Sequence, residues 1–217
     1  MFIGHHAAGF AGKRLAPQLS LGTLFFSAMF LDLLWPILLL LDLEHVRIDP
    51  GNTAFTPLDF YDYPISHSLL SVIGWSIAAA VVYRVVRKTW NGAVVVGAAV
   101  LSHWVLDFVT HRPDLPLWPG GPMVGLGLWN SIPATIAVEA LLFVATIAIY
   151  LRTTVARDRT GTIAFWALIA FVVVIYIANI TSPPPPNPRA IAWAALAAWL
   201  FVPWGAWIDR HRQARTP

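Results

Sequence analysis

Ser102-His103-Trp104-Val105-Leu106-Asp107-Phe108-Val109-Thr110-His111 closes an apolar run and sets two histidines and a carboxylate at four-residue intervals. On a helix, residues four apart stay on one side and drift by only about 40° per step. His103, Asp107 and His111 are therefore expected to point roughly the same way. Imidazole nitrogen and carboxylate oxygen are ligands of zinc and similar divalent ions, and a His-x-x-x-Asp pair offers both from one rigid element. The competing reading is a helix end whose polar residues turn to water. The apolar neighbours of His103 weigh against it, because a polar group among them is costly without a partner.

The composition around this stretch excludes an ordinary soluble domain: 58% of the 217 residues are hydrophobic and 12% charged, with a mean hydropathy of +0.66. The fold class expected is all-α, a polytopic membrane protein. Eleven tryptophans and five tyrosines suit aromatic belts at the membrane surfaces or packing inside a bundle. The pI near 9.6 follows from basic flanks of membrane helices and calls for no nucleic acid. The absence of cysteine excludes disulfides, thiolate ligands and a cysteine nucleophile.

Six apolar runs approach the roughly 20 helical residues needed to cross a hydrocarbon core: 19–41, 65–83, 91–110, 130–151, 163–181 and 190–208. They make residues 1–217 a single integral membrane domain without a linker or internal repeat. The first run follows Lys13-Arg14, is too long for a signal peptide and is read as a retained span. Eleven of the 14 lysines and arginines fall on one side of this arrangement and three on the other, which predicts both termini in the cytoplasm. The first outer loop, 42–64, is acidic, and Thr56-Pro57 is placed to open a short helix in it. The second, 112–128, is rich in proline and glycine, an irregular cover over the bundle mouth. The third carries Pro183-Pro184-Pro185-Pro186. The last two spans hold almost nothing ionisable, so the chemistry is expected in the first four, with the last pair as packing.

Each of the first four runs contains a polar residue that hydropathy does not explain: Asp32, His67, His103 with Asp107, and Glu139. Counted from the nearest basic residue at the cytoplasmic end, they lie between 13 and 18 residues in, roughly 20 to 27 Å at the helical rise. They share one layer, which a metal site requires and scattered polar accidents do not. Each also has a local alternative. Asp32 precedes Pro36, which frees a carbonyl and suits a kink; His67, between Ser66 and Ser68, suits an interfacial helix start; Glu139 suits a proton relay. His5-His6 reaches the layer only if the first ten residues dip into the bundle as a short helix. His45 belongs to the acidic loop, and His211 to a basic tail.

Taken together, an early His, an Asp near the end of the first span, Ser66-His67-Ser68 and Ser102-His103-x-x-x-Asp107-x-x-x-His111 resemble the bacterial membrane-bound metal-dependent hydrolases, a family distantly similar to zinc-dependent phospholipase C. The resemblance covers roughly residues 1–140, and its specific part is the His103/Asp107 block with His67. It implies His67, His103 and Asp107 as metal ligands, His5 as the early histidine and Glu139 as the acid of a later His-x-x-x-Glu. Thr135 stands where that motif has its histidine. The family's early Pro-Asp-x-Asp-His has two partial counterparts, Asp32-Leu33-Leu34-Trp35 and Leu41-Asp42-Leu43-Glu44-His45, of which the depth of Asp32 favours the first.

The expected function is a hydrolase of the bacterial cytoplasmic membrane, using a divalent ion, zinc first among the candidates. The metal ligands expected are His67, His103 and Asp107, with His111 and His5 as further candidates. Asp32 or Glu139 is the expected general base, and a lipid phosphoester at the external face the expected substrate class. The rival is a small permease or ion carrier that uses the same buried groups to bind a cation or relay protons.

Overall fold

The computed structural model describes residues 1–215. Its helices are α1 (Gly4–Leu15), α2 (Leu21–Ala28), α3 (Phe30–Leu40), α4 (Pro64–His67), α5 (Leu69–Arg87), α6 (Trp90–Thr110), α7 (Ile132–Thr153), α8 (Arg159–Thr181), α9 (Pro188–Ala195) and α10 (Phe201–Arg210). Short antiparallel ladders pair β1 (His45–Ile48) with β2 (Leu58–Asp62), β3 (Leu115–Pro116) with β4 (Met123–Val124), and β5 (Thr154–Ala156) with β6 (Arg212–Ala214). The architecture is all-α and polytopic. Five helical segments are long and apolar enough to cross a membrane, six if α2 and α3 count as one bent span. The faces they turn outward are apolar. α5 buries only Val72 and leaves Leu70, Ile73, Ile77 and Val81 exposed, and α8 exposes Ile163, Trp166, Val174 and Ile177. Apolar surface this continuous is stable against lipid rather than water.

Three of the six expected runs are not single helices, the second being interrupted near its start at Ser68, between α4 and α5. The first breaks at Met29, where α2 and α3 meet at 56°, upstream of the proline expected to bend it. Ser27 Oγ donates back to Thr23 O at 2.9 Å, a contact that loosens and bends helices. α3 meanwhile continues through Pro36. The sixth run is α9 and α10 joined by a 3-10 segment, Leu196–Leu200. The first outer loop forms a β-hairpin, with no helix at Thr56-Pro57. Val46 and Leu58 turn inward, and Arg47 pairs with its cross-strand neighbour Asp59 at 2.7 Å, which a strand register allows.

α1 is too short to span, yet it is buried along most of its length, against α2 and α7. Its glycines permit this depth. A Cβ on Gly9 would stand 2.6 Å from the Phe25 ring, and one on Gly12 would stand 2.7 Å from Leu24 Cδ2. Phe10 fills the space between Phe25, Phe143, Tyr150 and Phe165. At the C-terminal end of α1, Lys13 Nζ donates to Leu19 O at 2.7 Å and to Asp209 Oδ2 at 2.5 Å. Asp209 also accepts from Leu21 N–H at 2.8 Å and from Tyr150 OH at 3.3 Å. This end therefore ties α1, α2, α7 and α10 together, so the last helices anchor the first. His211 and Arg212 are likewise bound rather than trailing. His211 pairs with Asp158 at 2.7 Å, and buried Arg212 donates to Thr154 Oγ1 at 3.1 Å.

Candidate metal centre

The opposite end of α1 carries His5 into the bundle. Its ring stacks on that of His103, centroids 3.5 Å apart and planes 7° from parallel. His5 thus joins the layer by the dip that it required. α6 contributes His103 and Asp107 from one face, one helical turn apart. α3 contributes Asp32, placed beside α6 by the bend at Met29. His67 comes from the last turn of α4. The Ser-His-Ser stretch divides its tasks there: Ser68 caps α5 by accepting from Ser71 N–H at 3.2 Å, Ser66 turns to the outer loop, and His67 points inward.

Both carboxylates face all three imidazoles. His5 Nε2 lies 3.1 Å from Asp107 Oδ1 and 3.8 Å from Asp32 Oδ2. His67 Nε2 lies 3.7 Å from Asp32 Oδ1 and 3.8 Å from Asp107 Oδ2. His103 Nε2 lies 3.6 Å from Asp32 Oδ1 and 3.2 Å from Asp107 Oδ2. The Met1 amino group also touches Asp107 Oδ1. Two overlapping sets, His5-His103-Asp107 and Asp32-His67-His103, each bring their donor atoms within 4.8 Å of one another. Donor atoms around a tetrahedral zinc with bonds of about 2.0 to 2.1 Å stand roughly 3.3 Å apart. The group has that scale.

Hydrogen bonding on the far side of two rings tells which nitrogen is free. His103 Nδ1 donates to Ala28 O at 2.9 Å, the carbonyl at the end of α2 beside the bend. His67 Nδ1 lies 2.6 Å from Ser66 Oγ, which itself donates to Glu44. With both Nδ1 positions protonated, Nε2 is the remaining nitrogen of His67 and of His103, and each faces carboxylate oxygens. Such a buried meeting calls for positive charge between the partners, as a proton or as a metal ion. His103 Nε2 and His5 Nδ1 have no hydrogen-bond partner despite burial. A divalent ion fits this donor set: imidazole nitrogens and carboxylate oxygens, with no thiolate. His103 belongs to both sets and offers each of them the same atom, Nε2. Asp32 is the open member, its side chain 42% exposed against 5% or less for the other four.

Two expected residues lie elsewhere. α6 ends at Thr110, and His111 takes an extended conformation (φ −64°, ψ 146°), so the helical spacing no longer aims it at Asp107. It pairs instead with Asp114 at 2.9 Å and packs against the Trp129 ring at 4.3 Å. Glu139 sits beside the cluster and accepts from the N–H groups of Phe2, Ile3 and Gly4 at 3.2, 2.7 and 3.3 Å. It serves the free amides at the start of α1, where a carboxylate is favoured by both hydrogen bonds and the helix dipole. The residues not anticipated as part of the site are Glu44, Ser66 and Ala28. Glu44 had a signal in the second partial counterpart of the early acidic motif, at 41–45, and Ser66 in the Ser66-His67-Ser68 stretch; Ala28 had none. Comparison with protein-family models, curated proteins and solved structures finds no match for this chain.

Proposed function

We propose that this protein is a membrane-embedded, metal-dependent hydrolase with one zinc ion held among His67, His103 and Asp107, with His5 beside them and Asp32 on the open side, acting on a lipid phosphoester at the external face of the bacterial cytoplasmic membrane. The observation that carries the reading is the meeting of three imidazole Nε2 atoms with two carboxylates in one pocket. A divalent ion there supplies Lewis acidity, lowering the pKa of a water and polarising a phosphoryl oxygen. His103 and Asp107 hold their geometry through α6, and His103 is locked by Ala28 O. Asp32, on the open side, is placed to accept the proton of an attacking water and to meet substrate first. Glu139, committed to three backbone amides, holds α1 and so presents His5.

The external placement rests on the asymmetry of basic residues: His67 lies just before α5, the helix that ends in Arg84 and Arg87, and His103 lies toward the end of the helix that starts after Lys88. A lipid headgroup ester fits that depth. Metal analysis of the purified protein, beside His103→Ala, tests the reading, followed by phosphate-ester release from phospholipid vesicles. One zinc per chain, lost in the variant, together with hydrolysis, supports it. Stoichiometric metal without hydrolysis favours the ion carrier, and a wild type without metal overturns both.

A further inference from the structure

His67 is held by groups that begin outside the long helices. Glu44 precedes β1 in the acidic loop, but unlike the exposed Asp42 beside it, it is buried. Its Oε1 accepts from Ser66 N–H at 2.7 Å and its Oε2 accepts from Ser66 Oγ–H at 2.6 Å. Ser66 Oγ in turn lies 2.6 Å from His67 Nδ1. An ionised carboxylate only accepts, and a serine hydroxyl has one proton. That proton is therefore committed to Glu44, and Ser66 Oγ has only lone pairs left for His67. Nδ1 of His67 must then carry a hydrogen, so that in the neutral ring Nε2, the atom that faces Asp32 and Asp107, is the one free to bind an ion. Among the described residues, no lysine, arginine or histidine forms an ion pair with Glu44, although burial of a carboxylate calls for compensating charge.

We propose that Glu44, acting through Ser66, is a positioning residue that fixes the ligand-competent tautomer of His67 and strengthens its hold on the ion. The inference rests on the metal reading above and adds to it a dependence on the outer loop. The positive charge that offsets Glu44 is the ion itself, reached through Ser66 and the imidazole. In Glu44→Gln the side-chain amide donates to Ser66 Oγ, the hydroxyl proton turns to Nδ1, and the imidazole proton moves to Nε2, where it blocks the ligand position. Removing such a partner from a metal-bound histidine costs about 10- to 100-fold in affinity.

The test is titration of the purified full chain with Co²⁺, read by its visible absorption, in wild type, Glu44→Gln, Ser66→Ala and Asp59→Asn. Asp59 is a buried carboxylate of the same hairpin that binds only Arg47 and Arg112. It reports what disturbing the loop does by itself. Cobalt affinity is expected to fall 10- to 100-fold in the first two variants and to stay at the wild-type value in Asp59→Asn. Nitrogen-15 NMR of metal-free wild type is expected to show the His67 proton on Nδ1, a readout that needs no variant to fold. Wild-type affinity in both Glu44→Gln and Ser66→Ala, an equal loss in Asp59→Asn, or a proton on Nε2 overturns the inference and leaves the metal site standing. A wild type that takes up no cobalt removes the metal site and this inference together.

Discussion

The two ends of α1 are both tied down by buried ionisable groups, and they are built on opposite plans. At the C-terminal end, Lys13 meets Asp209 and Leu19 O, while Asp209 also takes Leu21 N–H and Tyr150 OH. Each donor there meets an acceptor, and charge meets opposite charge. At the N-terminal end the Met1 amino group meets Asp107, but two carboxylates and three imidazoles crowd together there and buried ring nitrogens have no partner. Both clusters are buried and polar, so burial and polarity do not separate them. The balance of donors against acceptors does: a balanced cluster holds the fold, whereas one with surplus acceptors is arranged around something that brings positive charge.

Exchanging the perturbations between the two ends breaks or sharpens that contrast. His103→Ala is expected to abolish stoichiometric metal binding, and its cost to the metal-free protein is that of the lost Ala28 O bond and ring contact. Lys13→Met is expected to cost stability alone. It leaves the half-buried Asp209 with Leu21 N–H and Tyr150 OH but without the Lys13 charge, at a cost of about 1 to 3 kcal/mol, and leaves the metal affinity of the folded fraction unchanged. Thermal denaturation and metal titration of both variants decide the matter. Loss of metal in Lys13→Met would show that the two ends are not independent.

Within the acceptor-rich end, Asp32 and Glu139 draw the same line on a smaller scale. Asp32→Asn keeps the shape and removes a proton acceptor, so phosphoester hydrolysis is expected to fall by about 10² to 10⁴. Glu139→Gln is expected to keep most of the rate and to lose about 1 to 3 kcal/mol of stability, because it weakens charge-assisted bonds to the start of α1. Rate assays and denaturation on the same two preparations separate the roles; the opposite pattern would make Glu139 the base.

The smallest effect lies in the outer hairpin. His45 Nδ1 pairs with Asp62 at 2.6 Å and its Nε2 lies 3.3 Å from Asp42. The hydrogen bond to Asp62, with the attraction of both carboxylates, raises the His45 pKa above the usual 6.5. A raised folded-state pKa means stability that is present below pH 6.5 and lost as pH climbs through the folded value. The pairs are solvent-exposed, so the difference is small. Melting curves of wild type and Asp62→Asn are expected to differ slightly at pH 5.5 and to converge in mildly alkaline buffer. A gap that widens with pH would contradict the assignment.

Much of the candidate centre was legible because its signals are local. The four-residue spacing of His103 and Asp107 fixes a shared face on any helix, and an unexplained charge in each early span marked Asp32 and Glu139. His111 was misplaced by the same logic, since spacing extrapolates a helix beyond the residue at which it stops. Glu139 was read by depth alone, and depth does not reveal that the amides of Phe2, Ile3 and Gly4 occupy it.

The sequence by itself determined the all-α, apolar character of the chain and the positions of its apolar runs, because the transfer of apolar residues into lipid is additive along the chain and needs no partner. It also determined the face of α6, because helical geometry is periodic. Tertiary structure alone decided that α1 enters the bundle, that His5 stacks on His103, that the span bends at Met29 to lend a carbonyl to His103, and that Glu44 reaches His67 through Ser66. Each of these depends on a hydrogen bond or a close approach between residues far apart in the chain, and pairwise geometry of that kind leaves no trace in the pattern of either partner alone.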